Sequence, residues 1–194
     1  YTPRYVSQSV VDDTVAAQLS DVSTRLEAAI ETESWDDADA IATEFTEFRV
    51  LDPACGTGSF LVEAFDAIRD EYDRLFDVLL DERQSRRAAS ESNSDELERL
   101  DALLRTLGYS EDGDGDLPRG ERAFVSTLVV RHIHAVDLDS HALDVAKLNI
   151  WLRAVERAPH AYADSEYAGD EDGVLPGVDV NLGCGDALVG LSDE

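Results

Sequence analysis

The chain contains no methionine and a single lysine, Lys147, and its 16 Lys plus Arg face 43 Asp plus Glu, a formal net charge of −27. That excess is in tension with nucleic-acid binding, which usually draws its affinity from basic side chains that neutralise phosphates. Its two cysteines, Cys55 and Cys184, lie far apart without C-x-x-C spacing. That excludes a zinc ribbon or a disulfide framework and leaves two small residues, expected in glycine-rich loops lining one pocket. No apolar run nears the roughly 18 residues a bilayer span needs, and no charged-then-apolar leader precedes Tyr1, so no membrane partner and a cytoplasmic location are expected. His132-x-His134 falls on one strand face without a third ligand, and His141 and His160 supply none, so structural roles and no metal site are expected. Neither a G-x-S-x-G elbow nor a G-x-x-x-x-G-K-[ST] loop occurs.

The acidic excess repels itself at low ionic strength, whereas molar salt screens it over about 3 Å, so it reads as adaptation to a salty cytoplasm. A disordered acidic chain is the competing reading, and 43% hydrophobic residues in periodic segments argue against it. At 194 residues the length suits one α/β domain or one and a half, with about 70% of the unfolded surface buried. A start at Tyr1 without methionine and an end in acidic coil lead us to expect a piece of a larger polypeptide.

Val6, Val10, Val11 and Val15, then Leu19, Val22, Leu26 and Ile30, recur at helical spacing behind Pro3, and a further helix is expected over Asp36 to Phe45. Residues 1–46 thus form an N-terminal helical segment. Phe48 to Leu51 reads as a short buried strand. The stripe from Phe60 to Leu79 makes a helix of about five turns. Residues 83–96 are polar and serine-rich, and Ser92 with Asp95 signals a new helix carrying Leu97, Leu100, Leu104 and Leu107, which Gly108 ends. An acidic loop (110–120), a helix over 119–131, a strand at Ile133 to Asp137, a helix over 140–157, a loop to 177 and a strand at Val178 to Leu182 follow. The order predicts an α/β domain over 47–194 with an incomplete parallel sheet and a helical insert at about 70–131.

The densest signal is Val50-Leu51-Asp52-Pro53-Ala54-Cys55-Gly56-Thr57-Gly58-Ser59-Phe60-Leu61. A strand ends on an acid, two glycines allow the backbone to turn tightly and approach a ligand, and a helix starts at once. An ordinary strand-to-helix turn would use the same glycines. The next strand ends on Asp137, whose carboxylate could take both hydroxyl protons of a ribose, with Leu138 beside it for a base. Asp137 and Asp139 could instead cap the helix that follows, a role that suits Asp139 better. Asp137 follows Gly58 by 79 residues, far beyond the 20 or so of a dinucleotide fold, and the insert accounts for the gap.

D-P-A-C-G-T-G-S-F-L resembles motif I of S-adenosylmethionine-dependent DNA methyltransferases, particularly the N6-adenine enzymes of type IIG and type I restriction-modification systems. A-V-D-L-D resembles motif II, the run Ala142 to Leu152 resembles the A-x-x-x-A-K-L-N-L-W-L of the large modification enzymes, and Gly183-Cys184-Gly185-Asp186-Ala187 resembles motif III. Tyr1-Thr2-Pro3 is similar to motif X. The likeness covers about 60 residues in four blocks. It implies a Rossmann-like methyltransferase fold and S-adenosylmethionine as cofactor. Asp52, Pro53, Ala54, Cys55, Gly56, Thr57 and Gly58 would cradle the methionyl end, with Asp137 on the ribose and Leu138 on the adenine face. Asp186 and the Ala187 amide would meet the adenine edge, and Tyr1, Thr2 and Pro3 the methionine carboxylate. Double-stranded DNA, and a nuclease or specificity domain or subunit, are the implied partners of the full-length protein.

The family's catalytic N-P-P-[YF] loop is not in these residues, so no catalytic residue is assigned and the chain alone is expected to be inactive. A methyltransferase acting on RNA or on protein glutamine, and a non-catalytic cofactor-binding module, remain alternatives. An NAD-dependent oxidoreductase ranks last, because Leu61 stands where the third glycine belongs.

Overall fold

The computed structural model describes residues 2–89, 94–109, 122–157, 159 and 181–187. Tyr1, Ser92, His160, the loop expected at 110–120 and most of that expected at 158–177 lie outside the described residues, as do Val178 to Val180.

The N-terminal segment is helical as expected. Pro3, with its extended ψ and no N–H to satisfy, sits at the N-cap of α1 (Arg4–Val11), and its carbonyl accepts from the Val6 amide at 2.9 Å. A wider π-type turn at Asp12–Ala16 joins α1 to α2 (Ala17–Glu31). That turn re-phases the helix. Val10, expected on the inner stripe, is exposed, while Val11, Leu19, Val22, Leu26 and Ile30 reach the core. Helix α3 (Trp35–Glu47) follows a tight reversal in which the Ser34 amide donates to the Ala29 carbonyl.

Strand β1 (Val50–Asp52) starts two residues later than the periodicity suggests. It runs parallel to β2 (Ile133–Asp137), pairing Leu51 with His134 and Asp52 with Ala135, and β2 runs parallel to β3 (Leu182–Cys184), pairing Asp137 with Cys184. The order β1-β2-β3 brings the carboxyl ends of all three strands to one edge. Strand β3 continues beyond Leu182 because the Gly185 amide donates to the Asp137 carbonyl at 3.0 Å, so Cys184 ends a strand and is not a loop residue.

Helix α4 (Ser59–Ala88) has 30 residues, about 45 Å of helix, and outruns the expected five turns. Its last turns carry no apolar stripe. They are held instead by ion pairs, Arg83 to Asp101 and Arg86 to Glu82 and Glu96, with α5 (Ser94–Thr106) alongside. The helix crosses residue 70 unbroken. Gly108, at φ +90°, ends α5 and lets the Tyr109 amide reach the Leu104 carbonyl. Helices α6 (Arg122–His132) and α7 (Ser140–Arg157) flank β2 in sequence. No described helix is long and apolar enough to cross a membrane.

One hydrophobic core joins the N-terminal helices to α4, α6 and the sheet. Tyr72 lies at its centre, edge-on to Phe45, Phe124 and His132. His132 is fully buried: Nδ1–H donates to the Phe48 carbonyl at 2.7 Å, and Nε2 lies 3.0 Å from the Tyr72 hydroxyl, from which it accepts in the neutral ring that burial favours. Burial lowers its pKa from 6.5 to about 4. The unfolded chain therefore takes up a proton between those values and the folded chain does not, so stability falls as pH drops from about 6.5 toward 4, by roughly 3 kcal/mol. Urea unfolding at stepped pH should show that slope in the wild type and not in His132→Gln. An equal slope in both would remove His132 as its source.

Arginines knit the helices together: Arg25 to Glu44, Arg74 to Glu27, Arg153 to Asp66 and Arg157 to Asp70. The exposed pairs among them, Arg25 to Glu44 and Arg157 to Asp70, each contribute about 1 kcal/mol or less, and salt weakens them. Repulsion among the uncompensated acids is the larger effect and salt relieves it, so the melting temperature should rise steeply with KCl. A flat or falling dependence would contradict this.

Candidate functional site

Where β1 ends, the Asp52 carboxylate accepts from the Ala54 amide at 3.1 Å and bends the chain into the Pro53–Gly58 turn. Pro53, Ala54 and Thr57 are exposed on it. The Cys55 amide donates to the Val136 carbonyl at 3.2 Å, carrying the contact with β2 one step past the strand. Gly56 takes φ +52° and Gly58 φ +82°, values that L side chains rarely adopt. The Gly58 amide closes the turn on the Cys55 carbonyl at 2.8 Å. A Cβ on Gly58 would lie 3.0 Å from the Ala146 Cβ of α7, whereas one on Gly56 would meet nothing within 4 Å. Gly58 is also the N-cap of α4 and offers no side-chain cap, so the amides of that first turn lack a capping side chain at the positive end of the helix dipole.

Asp137 binds this loop directly. Its Oδ2 accepts from the Gly56 amide at 2.7 Å and its Oδ1 from the Asp139 amide at 2.9 Å. Those two amides hold its carboxyl below the usual carboxylate range. Each oxygen keeps a further lone-pair site for a donor. Leu138, 73% exposed, is next to it. Asp139 caps α7, accepting from the His141 amide on its side chain at 2.9 Å and from the Leu143 amide on its carbonyl. The third strand end joins through backbone: Gly185 is bonded to the Asp137 carbonyl, and the exposed Asp186 and Ala187 follow.

The two cysteines differ in burial. Cys55 is buried in the core cluster, and burial first, then Asp52 and Asp137, push its thiol up to about 11, so it is a neutral wall of the loop. Cys184 is exposed, with its thiol near the Leu138 carbonyl at 3.6 Å. Among the described residues no group of three His, Cys, Asp or Glu side chains could hold a metal ion.

Thr2 lines a cleft of about 380 Å³ together with Ser7 of α1, Ser59 and Glu63 of α4, and Asn149 of α7. Ser59 links this cleft to the glycine loop, while Pro3 serves as the α1 cap. The structure thus joins residues 52–58 to Asp137 by hydrogen bonds, the 185–187 turn through backbone, and Thr2 through Ser59. Two loop-contacting residues lie outside the set expected from sequence. Ala146 packs on Gly58, and the Asn149 Nδ2 donates to the Thr57 carbonyl at 2.9 Å. Their spacing of three puts them on one face of α7, the only local sign that they act together.

A sequence model described as MmeI, DNA-methyltransferase domain, matches residues 27–188, and the chain belongs to that family. A protein of Methanocaldococcus jannaschii named as a type II restriction enzyme and methyltransferase, RM.MjaORFECS2P, is 26% identical over 155 residues. That match covers 80% of this chain and 10% of the relative, so the chain spans about a tenth of the relative's length. No solved structure matches it.

Proposed function

We propose that this domain is the S-adenosylmethionine-binding part of an adenine-N6 DNA methyltransferase of a restriction-modification system. The carrying observation is the 2.7 Å hydrogen bond from the Gly56 amide to Asp137, which sets a ribose acid against a glycine loop. The residues fit the group: Asp137 keeps free lone-pair sites, Gly56 has open space beside it, and the first turn of α4 is uncapped. Asp137 accepts from the ribose hydroxyls and Leu138 covers the adenine face. Asp186 and the Ala187 amide hold the adenine edge. Asp52 accepts from the ammonium, while Pro53 to Gly58 cradle the methionyl end, which Tyr1, Thr2 and Pro3 close off. When bound, S-adenosylmethionine supplies an electrophilic methyl group for in-line transfer, and this chain's part is to hold it in line.

The flipped adenine and the N-P-P-[YF] loop that stacks on it belong to a longer polypeptide, so these residues alone do not turn over. Double-stranded DNA, with a nuclease or specificity part, is the partner proposed for that polypeptide. The net charge of −27 leads us to place phosphate contact in other parts of it. We read the acidic surface as halophilic and the setting as cytoplasmic.

A second reading is a methyltransferase acting on RNA or on a protein glutamine, or a domain that only binds cofactor, and the charge of −27 favours those of its forms without a nucleic-acid acceptor. Incubating the full-length protein with duplex DNA and methyl-labelled cofactor, then digesting to nucleosides for mass spectrometry, decides between them. N6-methyladenine is expected. A methylated cytosine would overturn the adenine assignment, and label only in RNA or protein would support the alternative.

A further inference from the structure

Asn149 projects from the middle of α7 and donates from Nδ2 to the Thr57 carbonyl at 2.9 Å, bridging 92 residues of sequence. The other end of the same peptide unit is also held, because the Gly58 N–H donates to the Cys55 carbonyl at 2.8 Å. One peptide plane in the loop is therefore fixed from both sides, and the uncapped first turn of α4 starts immediately after it. Ala146, one turn earlier on the same helix, also packs against Gly58. Asn149 also lines the cleft shared by Thr2, Ser7 and Ser59, whereas Asp137 meets the loop at the Gly56 amide.

We propose that Asn149 is a positioning residue for the amino-acid end of the cofactor: by fixing the Thr57–Gly58 peptide it aims the first-turn amides of α4 at an α-carboxylate. This rests on the cofactor reading given above and assigns a further residue to it. A carboxylate there meets a fixed set of donors only while that peptide keeps its orientation, whereas the nucleoside end depends on Asp137 and is indifferent to it. The dependence on Asn149 is thus confined to one half of the ligand.

Titration of the protein in molar KCl with two probes tests this. S-adenosylhomocysteine carries the amino-acid end and 5′-methylthioadenosine lacks it. Asn149→Asp keeps the shape but removes the donor, and Asn149→Ala removes the donor without adding charge. Both should weaken S-adenosylhomocysteine about tenfold to a hundredfold, the range for losing one partner of a hydrogen bond. Affinity for 5′-methylthioadenosine should stay within about twofold, with the ligand-free melting temperature little changed. Equal loss of both probes, or a matching fall in melting temperature, would make Asn149 a structural tie and overturn the proposal. So would unchanged affinity for both, or an effect confined to Asn149→Asp, which would be charge alone. A wild type that binds neither probe would sink the cofactor reading itself.

Discussion

Gly58→Ala is expected to destabilise the protein by about 2 to 4 kcal/mol and to reduce S-adenosylmethionine affinity by about a hundredfold or more. Two penalties combine. The backbone at φ +82° is costly for any residue with a Cβ, and that Cβ would lie 3.0 Å from the Ala146 Cβ and 3.1 Å from its Cα. Ala146 is fully buried in the middle of an 18-residue helix, so the strain goes into the loop. Gly56→Ala is the control, at φ +52° but in open space. It should lose only about 1 kcal/mol of stability, although its methyl group enters the ligand's space. Urea unfolding of both variants measures the difference. Ala146→Gly should partly rescue Gly58→Ala and leave Gly56→Ala unaffected. Equal destabilisation of the two, without rescue, would contradict the close approach of loop and helix.

Asp137→Asn is expected to weaken S-adenosylmethionine by at least about tenfold, because the charge-assisted acceptor for the ribose is lost. The variant also disturbs the loop without ligand, since an amide nitrogen would have to face one of the two N–H groups that the carboxylate now serves, Gly56 or Asp139. The pH dependence provides a separate check. Asp137 has a folded-state pKa below the usual carboxylate value, so its contribution is present above the unfolded pKa and is lost as pH falls through the lower folded one. The acid limb of a stability profile should be shallower in Asp137→Asn. An unchanged limb would mean that the two amides do not bind the ionised carboxylate in solution.

Much of this arrangement was legible from residues alone. Ile133 to Asp137 alternates and ends on an acid, and the helix from Ser140 to Arg157 has its cap in Asp139; both elements have the expected limits. Gly108 ended its helix for the expected reason. Local chemistry decides such features. The contact between Gly56 and Asp137 spans 81 residues and arises from parallel strand pairing, which leaves no local trace, so only the family likeness put the two together. The end of α4 was missed because Arg83 to Ala88 is secured by charges on α5, and apolar periodicity is blind to ion pairs. Val10 was misplaced because the inward face of α1 carries Ser7 and Val11, and the π-type turn at Asp12–Ala16 then breaks the regular spacing into α2. Ala146 and Asn149 escaped notice because a small residue and an amide on a helix face acquire meaning only from what is packed opposite.

The central claim is that the glycine loop and the acid of the adjacent strand form one S-adenosylmethionine site. Calorimetric titration of the protein in molar KCl tests it most directly, with S-adenosylmethionine and NAD as ligands and Asp137→Ala as the comparison. Saturable heat with S-adenosylmethionine alone, lost in Asp137→Ala, is the predicted result. No heat with S-adenosylmethionine, or binding of NAD in its place, would contradict the account.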